Sequence, residues 1–234
     1  MSDKCVKALI MAGGIGSRLR PLTYTIPKPL LPVGRKPILQ IIIEQLKKCG
    51  ITNIFITVEY KAELIKSYFE DGNEFGVKIT YIDEDGPRGT AGSVKFIEGM
   101  VDEPFIVMNG DLLTKLDFMD IWRLHVESGA EFTVGIKEYK IKFPYGLVNL
   151  ENGKILNITE KPELTFYINA GIYVLSPSAL EVVPKDHFFD MPDAIQALIN
   201  QDRNVGYYEI KEYWRDVGKM EDYQEIKNGV KEWE

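Results

Sequence analysis

Leu9-Ile10-Met11-Ala12-Gly13-Gly14-Ile15-Gly16-Ser17-Arg18-Leu19 is the stretch on which the reading of this chain turns. Val6 to Met11 is a short apolar run that ends in glycines, so it reads as a buried strand. Three glycines then fall within four residues. Glycine lets the backbone turn sharply and exposes N–H groups that can wrap an anion or a base. No Gly-Lys-Ser/Thr follows, so the loop is not a P-loop. Counted from Gly14, the third position of the dinucleotide fingerprint is Leu19, so it is not that either. A tight turn that needs glycine for geometry alone is the bland alternative. Arg18 weighs against it, and so does the continuation Arg20-Pro21-Leu22-Thr23 to Pro27-Lys28-Pro29-Leu30-Leu31-Pro32-Val33 and Lys36-Pro37. A lysine between prolines is expected on a stiff, extended backbone. Arg18 and Lys28 beside the glycine loop suggest a cradle for a triphosphate, with a solvated loop lysine as the alternative.

Outward from the loop, helices and strands alternate. Pro37 to Lys48 places Leu39, Ile42, Ile43 and Leu46 on one helical face, and Gly50 stops it. Strands are expected at Asn53 to Val58, Val77 to Ile82, Pro104 to Met108 and Phe132 to Ile136. Helices are expected at Ala62 to Phe69, Thr90 to Met100 and Phe118 to Val126. This alternation implies an α/β fold, a Rossmann-like and mostly parallel sheet with helices on both faces and ligands at the strand C-termini. After about Lys137 the pattern changes. Leu147 to Leu150, Ile155 to Thr159 and Phe166 to Leu175 read as strands joined by turns such as Asn152-Gly153, a β-rich insertion over the sheet edge. Helices return at Ala194 to Asn200 and Glu221 to Lys231. With no Pro/Gly/Ser linker, one domain over 1–234 is expected, with the alternating helix–strand part at about 1–136 and the β-rich part at about 137–234.

Composition narrows the function classes. The 234 residues are 45% hydrophobic, enough for a full core, and the formal net charge is -7. That balance disfavours nucleic acid and anionic membranes, which want a basic face, while leaving small anionic ligands open. The two cysteines, Cys5 and Cys49, are expected as free thiols in a reducing cytoplasm. No apolar run approaches a membrane span, and the opening residues are too short and glycine-rich for a signal peptide. A homo-oligomer is compatible with the sequence.

Two carboxylates stand out. Phe105-Ile106-Val107-Met108-Asn109-Gly110-Asp111 is a buried strand ending in an acid at the binding edge, and Tyr213-Trp214-Arg215-Asp216-Val217-Gly218 offers another. Each could cap a turn or helix, or the two could hold a hard divalent cation with phosphate oxygens completing its shell. His125, in an expected helix, and His187, beside Phe188 and Phe189, carry little catalytic weight.

The run AGGIGSRLRPLT, then PKPLLPV and KP, resembles the signature of sugar-1-phosphate nucleotidyltransferases, and the similarity extends across nearly the whole chain. The resemblance implies that Ala12, Gly13 and Gly14 bind nucleotide, and that Asp111 and Asp216 hold Mg²⁺. An oxygen of a sugar 1-phosphate would attack the α-phosphorus of a nucleoside triphosphate in line and release pyrophosphate. Catalysis would then be positioning plus charge neutralisation by the metal, Arg18 and Lys28. The family's YG, EKP and NAG motifs match at Tyr145-Gly146, Glu160-Lys161-Pro162 and Asn169-Ala170-Gly171. By that match Glu160 accepts from sugar hydroxyls, Lys161 binds the sugar's phosphate, and Gly146 and Asn169 line the pocket. A surface charge pair is the plain alternative for Glu160 and Lys161.

The segment from Tyr81 to Ser93, YIDEDGPRGTAGS, resembles the family's base-recognition stretch, with Glu84, Gly89 and Thr90 as nucleotide contacts. Pyrimidine-using members tend to carry glutamine near Glu84. An ionised carboxylate only accepts hydrogen bonds, which suits the adjacent N–H donors of guanine and favours GTP. Alternatively Glu84 faces solvent and backbone groups read the base. The chain looks most like bacterial guanylyltransferases, with glucosamine 1-phosphate as the favoured acceptor. Mannose or heptose 1-phosphate, and uridylyl or thymidylyl transfer to glucose 1-phosphate, are alternatives, as is a regulatory module that binds nucleotide-sugar without turnover.

Overall fold

The computed structural model describes residues 6–228, and Cys5 and residues 229–231 of the expected last helix lie outside them. In chain order the elements begin with β1 (Lys7–Met11), the short pair β2 (Pro32–Val33) and β3 (Lys36–Pro37), α1 (Ile38–Lys48), β4 (Asn53–Val58) and α2 (Ala62–Phe69). There follow β5 (Lys78–Asp83), α3 (Gly89–Lys95), β6 (Phe105–Asn109), β7 (Leu112–Thr114) and α4 (Phe118–Ser128). The second half holds β8 (Phe132–Lys142), β9 (Leu147–Glu151), β10 (Lys154–Thr159), β11 (Glu163–Leu175), α5 (Met191–Asn200), β12 (Val205–Glu209), β13 (Trp214–Asp216) and α6 (Met220–Asn228).

Seven strands form one sheet in the order β12-β8-β11-β6-β1-β4-β5. The β4–β5, β1–β4, β1–β6 and β12–β8 pairs are parallel, and β11 runs antiparallel to both β6 and β8. β1 and β6 occupy the middle and are buried on both faces, which explains their unbroken apolar runs. Alternation sends Ala8, Ile10, Ile106 and Met108 into the core beneath α1, α2, α4 and α6. It sends Leu9, Phe105 and Val107 into the opposite core, beneath α3 and α5. The two-sided core fixes the register, and the C-terminal ends of β1, β4 and β6 therefore open on one edge.

Several elements differ from the sequence expectation. α3 ends at Lys95 rather than Met100: beyond it the Ile97, Glu98 and Met100 N–H groups close turns onto the Val94, Lys95 and Ile97 carbonyls, with Gly99 at a left-handed φ of 80°. β8 continues through Lys142, and β11 starts at Glu163. Their inner halves belong to the main sheet, and their outer halves pair with each other alone, from Lys137 opposite Ile168 to Lys142 opposite Glu163. The β9–β10 hairpin continues this ribbon, and Asn152 and Gly153 turn it with φ of 48° and 77°, both positive as a type I′ turn requires. β7, β12 and β13 are too short or too mixed in polarity for periodicity to announce them.

Candidate functional site

The cleft lies at the C-terminal ends of β1, β4 and β6. The loop after β1 bends through Gly16 in a left-handed conformation (φ 65°), and the Thr23 hydroxyl donates to the Gly16 carbonyl at 2.9 Å. Met11, Ala12, Gly14, Gly16, Ser17, Arg18, Lys28 and Asp111 line a cavity of about 240 Å³ beneath that loop. Lys28 is not extended. It opens a 3₁₀ turn, Lys28–Leu30, whose Leu31 N–H returns to the Lys28 carbonyl at 3.0 Å. Pro27 keeps the extended conformation, and the turn after it buries the lysine stem to 8% exposure.

Two short strands distant in sequence bring the acids together. β13 pairs antiparallel with β7, so Asp216 stands opposite Leu112, next to Asp111. The Val217 N–H donates to the Asp111 carbonyl at 3.0 Å and locks that approach. Lys28 Nζ donates to Asp111 Oδ2 and lies 4.0 Å from Asp216 Oδ1. Arg18 completes the cluster: a methyl placed on Gly218 would sit 2.8 Å from Asp216 Oδ2 and 3.5 Å from the Arg18 guanidinium. Burial raises the Asp216 carboxyl above its ordinary range, the Asp111 charge adds to the shift, and Lys28 and Arg18 oppose it. Asp111 Oδ1 and Asp216 Oδ1 are both buried without a hydrogen-bond partner. Two adjacent orphaned carboxylate oxygens are hard donors and fit a divalent cation that takes its remaining ligands from phosphate and water. No cluster of three or more metal-ligating side chains occurs among the described residues.

An adjoining cavity of about 400 Å³ is lined by Gly13, Gly14, Glu59, Glu84, Arg88, Gly89, Thr90, Ser93, Asn109, Asp111 and Phe188. Glu84 follows β5 and faces the loop, where a methyl on Gly13 would meet Glu84 Oε1 at 2.9 Å. A side chain at Gly13 would displace the Glu84 carboxylate from that position. Burial raises the Glu84 carboxyl above its ordinary range, with the Thr57 and Ser93 hydroxyls opposing and the Glu59 and Asp85 charges adding to it. Gly89, at φ 73°, presses so closely on the Phe189 carbonyl that a methyl there would sit 2.6 Å from its oxygen. Thr90 lines the cavity, but its polar groups are engaged. Its N–H and hydroxyl meet Asp190 Oδ1 at 2.9 and 3.2 Å, and its oxygen accepts from the Met191 N–H at 2.8 Å.

A third cavity of about 310 Å³ is lined by Thr90, Asn109, Asn169, Gly171, Tyr173, Asp190, Trp214 and Asp216. β11 has a register break between Asn169 and Tyr173, and Asn169, exposed on the cavity wall, accepts from the Gly171 N–H through Oδ1 at 3.0 Å. The structure therefore gathers Ala12, Gly13, Gly14, Arg18, Lys28, Glu84, Gly89, Thr90, Asp111, Asn169 and Asp216 around one continuous cleft. Gly146, Glu160 and Lys161 stand apart from these cavities. They cluster on the exposed ribbon, where a methyl on Gly146 would lie 3.0 Å from Glu160 Oε2. Lys161 holds a left-handed φ of 43° there.

The sequence reading missed Asn109 and Asp190, each of which lines two of the three cavities. Asn109 was visible as the last residue of a buried strand. Asp190 was visible in Asp190-Met191-Pro192-Asp193 as a helix start, and the Asp190 N–H does donate to Asp193 Oδ2 at 3.1 Å. His125 is buried away from the cleft between Thr133 and Ser176, and burial pushes it down to about 4.

A seven-stranded sheet with helices on both faces, whose strand ends carry a glycine loop, two cations and two carboxylates, places the chain in the doubly covered α/β class. The profile described as Nucleotidyl transferase matches residues 7–232, and the chain belongs to that family. It is 37% identical over 247 residues to a UTP--glucose-1-phosphate uridylyltransferase of Synechocystis sp., covering 96% of this chain and 63% of that protein. It is 34% identical over 227 residues to a mannose-1-phosphate guanyltransferase of Schizosaccharomyces pombe, covering 93% and 62%. The chain thus spans about three fifths of the length of these relatives. Among solved structures, HddC from Yersinia pseudotuberculosis superposes with a TM-score of 0.76 at 28% identity, covering 96% of this chain and 99% of that one. A second crystal structure of HddC holds GMP-PN, with a TM-score of 0.75, 27% identity and the same coverages.

Proposed function

We propose that the chain transfers a nucleotidyl group from a nucleoside triphosphate to a sugar 1-phosphate and releases pyrophosphate. The observation that carries this reading is the convergence of Arg18, Lys28, Asp111 and Asp216 on one cavity, next to the cavity holding Glu84. Asp111 and Asp216 would hold Mg²⁺, which neutralises phosphate charge when bound. Arg18 and Lys28 would bind the triphosphate, with the Ala12-Gly13-Gly14 backbone as its floor. A phosphate oxygen is already a competent nucleophile, so the chain needs to position it and supplies no base. Asn169 would line the sugar pocket, and Glu160, Lys161 and Gly146 would reach the sugar phosphate from the ribbon. The activity is placed in the cytoplasm, where nucleoside triphosphates are abundant. No helix among the described residues is long and apolar enough to cross a membrane.

GTP is the favoured nucleotide and glucosamine 1-phosphate the favoured acceptor. Support comes from Glu84 lining the cavity, since an ionised carboxylate would accept from the two adjacent guanine donors, and from a structural relative crystallised with GMP-PN. The uridylyltransferase name of the Synechocystis relative supports the second reading, uridylyl or thymidylyl transfer to glucose 1-phosphate. Mannose or heptose 1-phosphate stands beside glucosamine 1-phosphate on the acceptor side. The test is the initial rate of pyrophosphate release for four triphosphates against a panel of sugar 1-phosphates, with wild type and Glu84→Gln. GTP should lead, and Glu84→Gln should lower GTP use by about 1–3 kcal/mol of discrimination. A wild type that prefers UTP or dTTP refutes the guanine reading. No pyrophosphate with any pair refutes the transferase reading in favour of a binding module.

A further inference from the structure

The outer halves of β8 and β11 and the β9–β10 hairpin form a two-stranded antiparallel arm over residues 138–168, exposed along most of its length. The arm is amphipathic. Leu150 stands opposite Ile155 and Val148 opposite Ile158, so these four side chains share one face, with exposures of 72%, 61%, 46% and 61%. Asn149 stands opposite Asn157 on the other face, and their side chains bond at 2.9 Å. Nearer the sheet, Tyr139 and Phe166 oppose each other and are 51% and 47% exposed.

An isolated two-stranded ribbon is marginal in water and needs a further layer on its apolar face. The four hairpin side chains, with Tyr139 and Phe166 on the adjoining strand pair, leave on the order of 600 Å² bare along the arm, at the upper end for a monomer and below the roughly 800 Å² each partner gives a standard interface. Charge permits self-contact. The arm's four acids (Glu138, Glu151, Glu160, Glu163) balance its four lysines (Lys140, Lys142, Lys154, Lys161), whereas the whole chain carries -7. This surface therefore sets no net charge against a second copy, whereas the chain as a whole does.

We propose that the apolar face of the arm is a self-association surface on which a second copy of this chain packs, arm against arm about a twofold axis. Twofold packing presents the same patch from both subunits, which suits a face that is apolar and electrically balanced. Association also fixes the arm that carries Gly146, Glu160 and Lys161, and this consequence alone rests on the function proposed above.

Sedimentation velocity of the full chain from about 1 to 100 µM, the range of a modest dimer, reads the outcome directly. The expected species is about 53 kDa, twice the 26.7 kDa chain. Leu150→Asp, and separately Ile155→Asp, should return the monomer while far-ultraviolet circular dichroism is retained, because each side chain is already exposed in one copy. Asn157→Asp, on the opposite face, should leave the dimer intact. A wild type that stays monomeric throughout overturns the proposal and assigns the face to another partner. A dimer indifferent to the Leu150 and Ile155 substitutions overturns it equally. Mass is the readout, so a failed nucleotide or sugar assignment leaves this result unaffected.

Discussion

Replacing Lys28 with methionine keeps the buried stem and removes one positive charge from between two carboxylates. Lys28 Nζ contacts Asp111 Oδ2 and lies 4.0 Å from Asp216 Oδ1. At an effective dielectric of about 20, a unit charge at that separation is worth about 4 kcal/mol. The Asp216 side chain is 41% exposed, so solvent and salt screen much of this. If a third survives, about 1.4 kcal/mol remains, a tenfold change in an equilibrium constant. Two effects follow from the same charge. In chelator, Lys28→Met should melt below wild type, because two carboxylates are left facing each other. On adding Mg²⁺, the more anionic site should bind the ion about tenfold more tightly. Saturating magnesium should then raise the variant's melting temperature by about 3–5 °C more than it raises that of wild type, at roughly 2–4 °C per kcal/mol for a domain of this size. The assay is thermal denaturation across a magnesium titration, with sodium chloride at matched ionic strength as control. Equal magnesium-induced shifts in the two proteins would show that Asp111 and Asp216 do not form the ion's site.

Gly89→Ala should lose about 2 kcal/mol or more of stability, from a left-handed φ of 73° together with a 2.6 Å approach to the Phe189 carbonyl; a melting temperature within 2 °C of wild type, roughly the scale of one kcal/mol, would refute it. Lys161→Ala should raise KM for sugar 1-phosphate far more than for nucleotide, and Arg18→Ala should do the reverse; steady-state kinetics with each substrate varied would expose equal effects as a contradiction. Burial raises the Glu84 carboxyl, so as pH falls it takes up its proton before an ordinary carboxylate does and loses the acceptor guanine needs; the GTP-to-UTP rate ratio should shrink as pH falls toward the carboxylate range in wild type and stay flat in Glu84→Gln. His125 is held down to about 4 from 6.5, so the unfolded chain takes up its proton first; stability should be level above about pH 6.5 and fall toward pH 4 by on the order of 3 kcal/mol, a slope that urea unfolding of His125→Gln should lack.

Elements whose side chains face a single environment were legible in the sequence. β1 and β6 are buried on both faces and read as unbroken apolar runs, and α1 shows its stripe because one face packs on the sheet. β7 and β13, with three residues each, exist only because they pair across a hundred residues or more, and no local pattern records a partner that distant. Asp111 and Asp216 were found through their motifs, but their juxtaposition follows from that pairing. For Lys28, proline restriction described Pro27 correctly and missed the 3₁₀ turn that follows, which is what buries the lysine. Thr90 was named as a nucleotide contact through the resemblance of its segment to a base-recognition stretch. It lines the cavity, and its hydrogen bonds go to Asp190 and Met191, a tie across a hundred residues that spacing along the chain does not reveal.

The β7–β13 pair also orders events during synthesis. A chain emerging from the ribosome completes the glycine loop, β6 and Asp111 early, and the parallel core of β1, β4, β5 and β6 can close on residues before 110. Asp216 arrives about a hundred residues later, and only the docking of β13 beside β7 sets it against Asp111. Contacts of such separation form late, after the loop-closure entropy has been met by the rest of the sheet. A nascent or prematurely terminated chain thus presents half of the acidic pair, while the finished fold presents both. Ribosome-bound fragments ending before Trp214 should accordingly leave nucleoside triphosphates untouched.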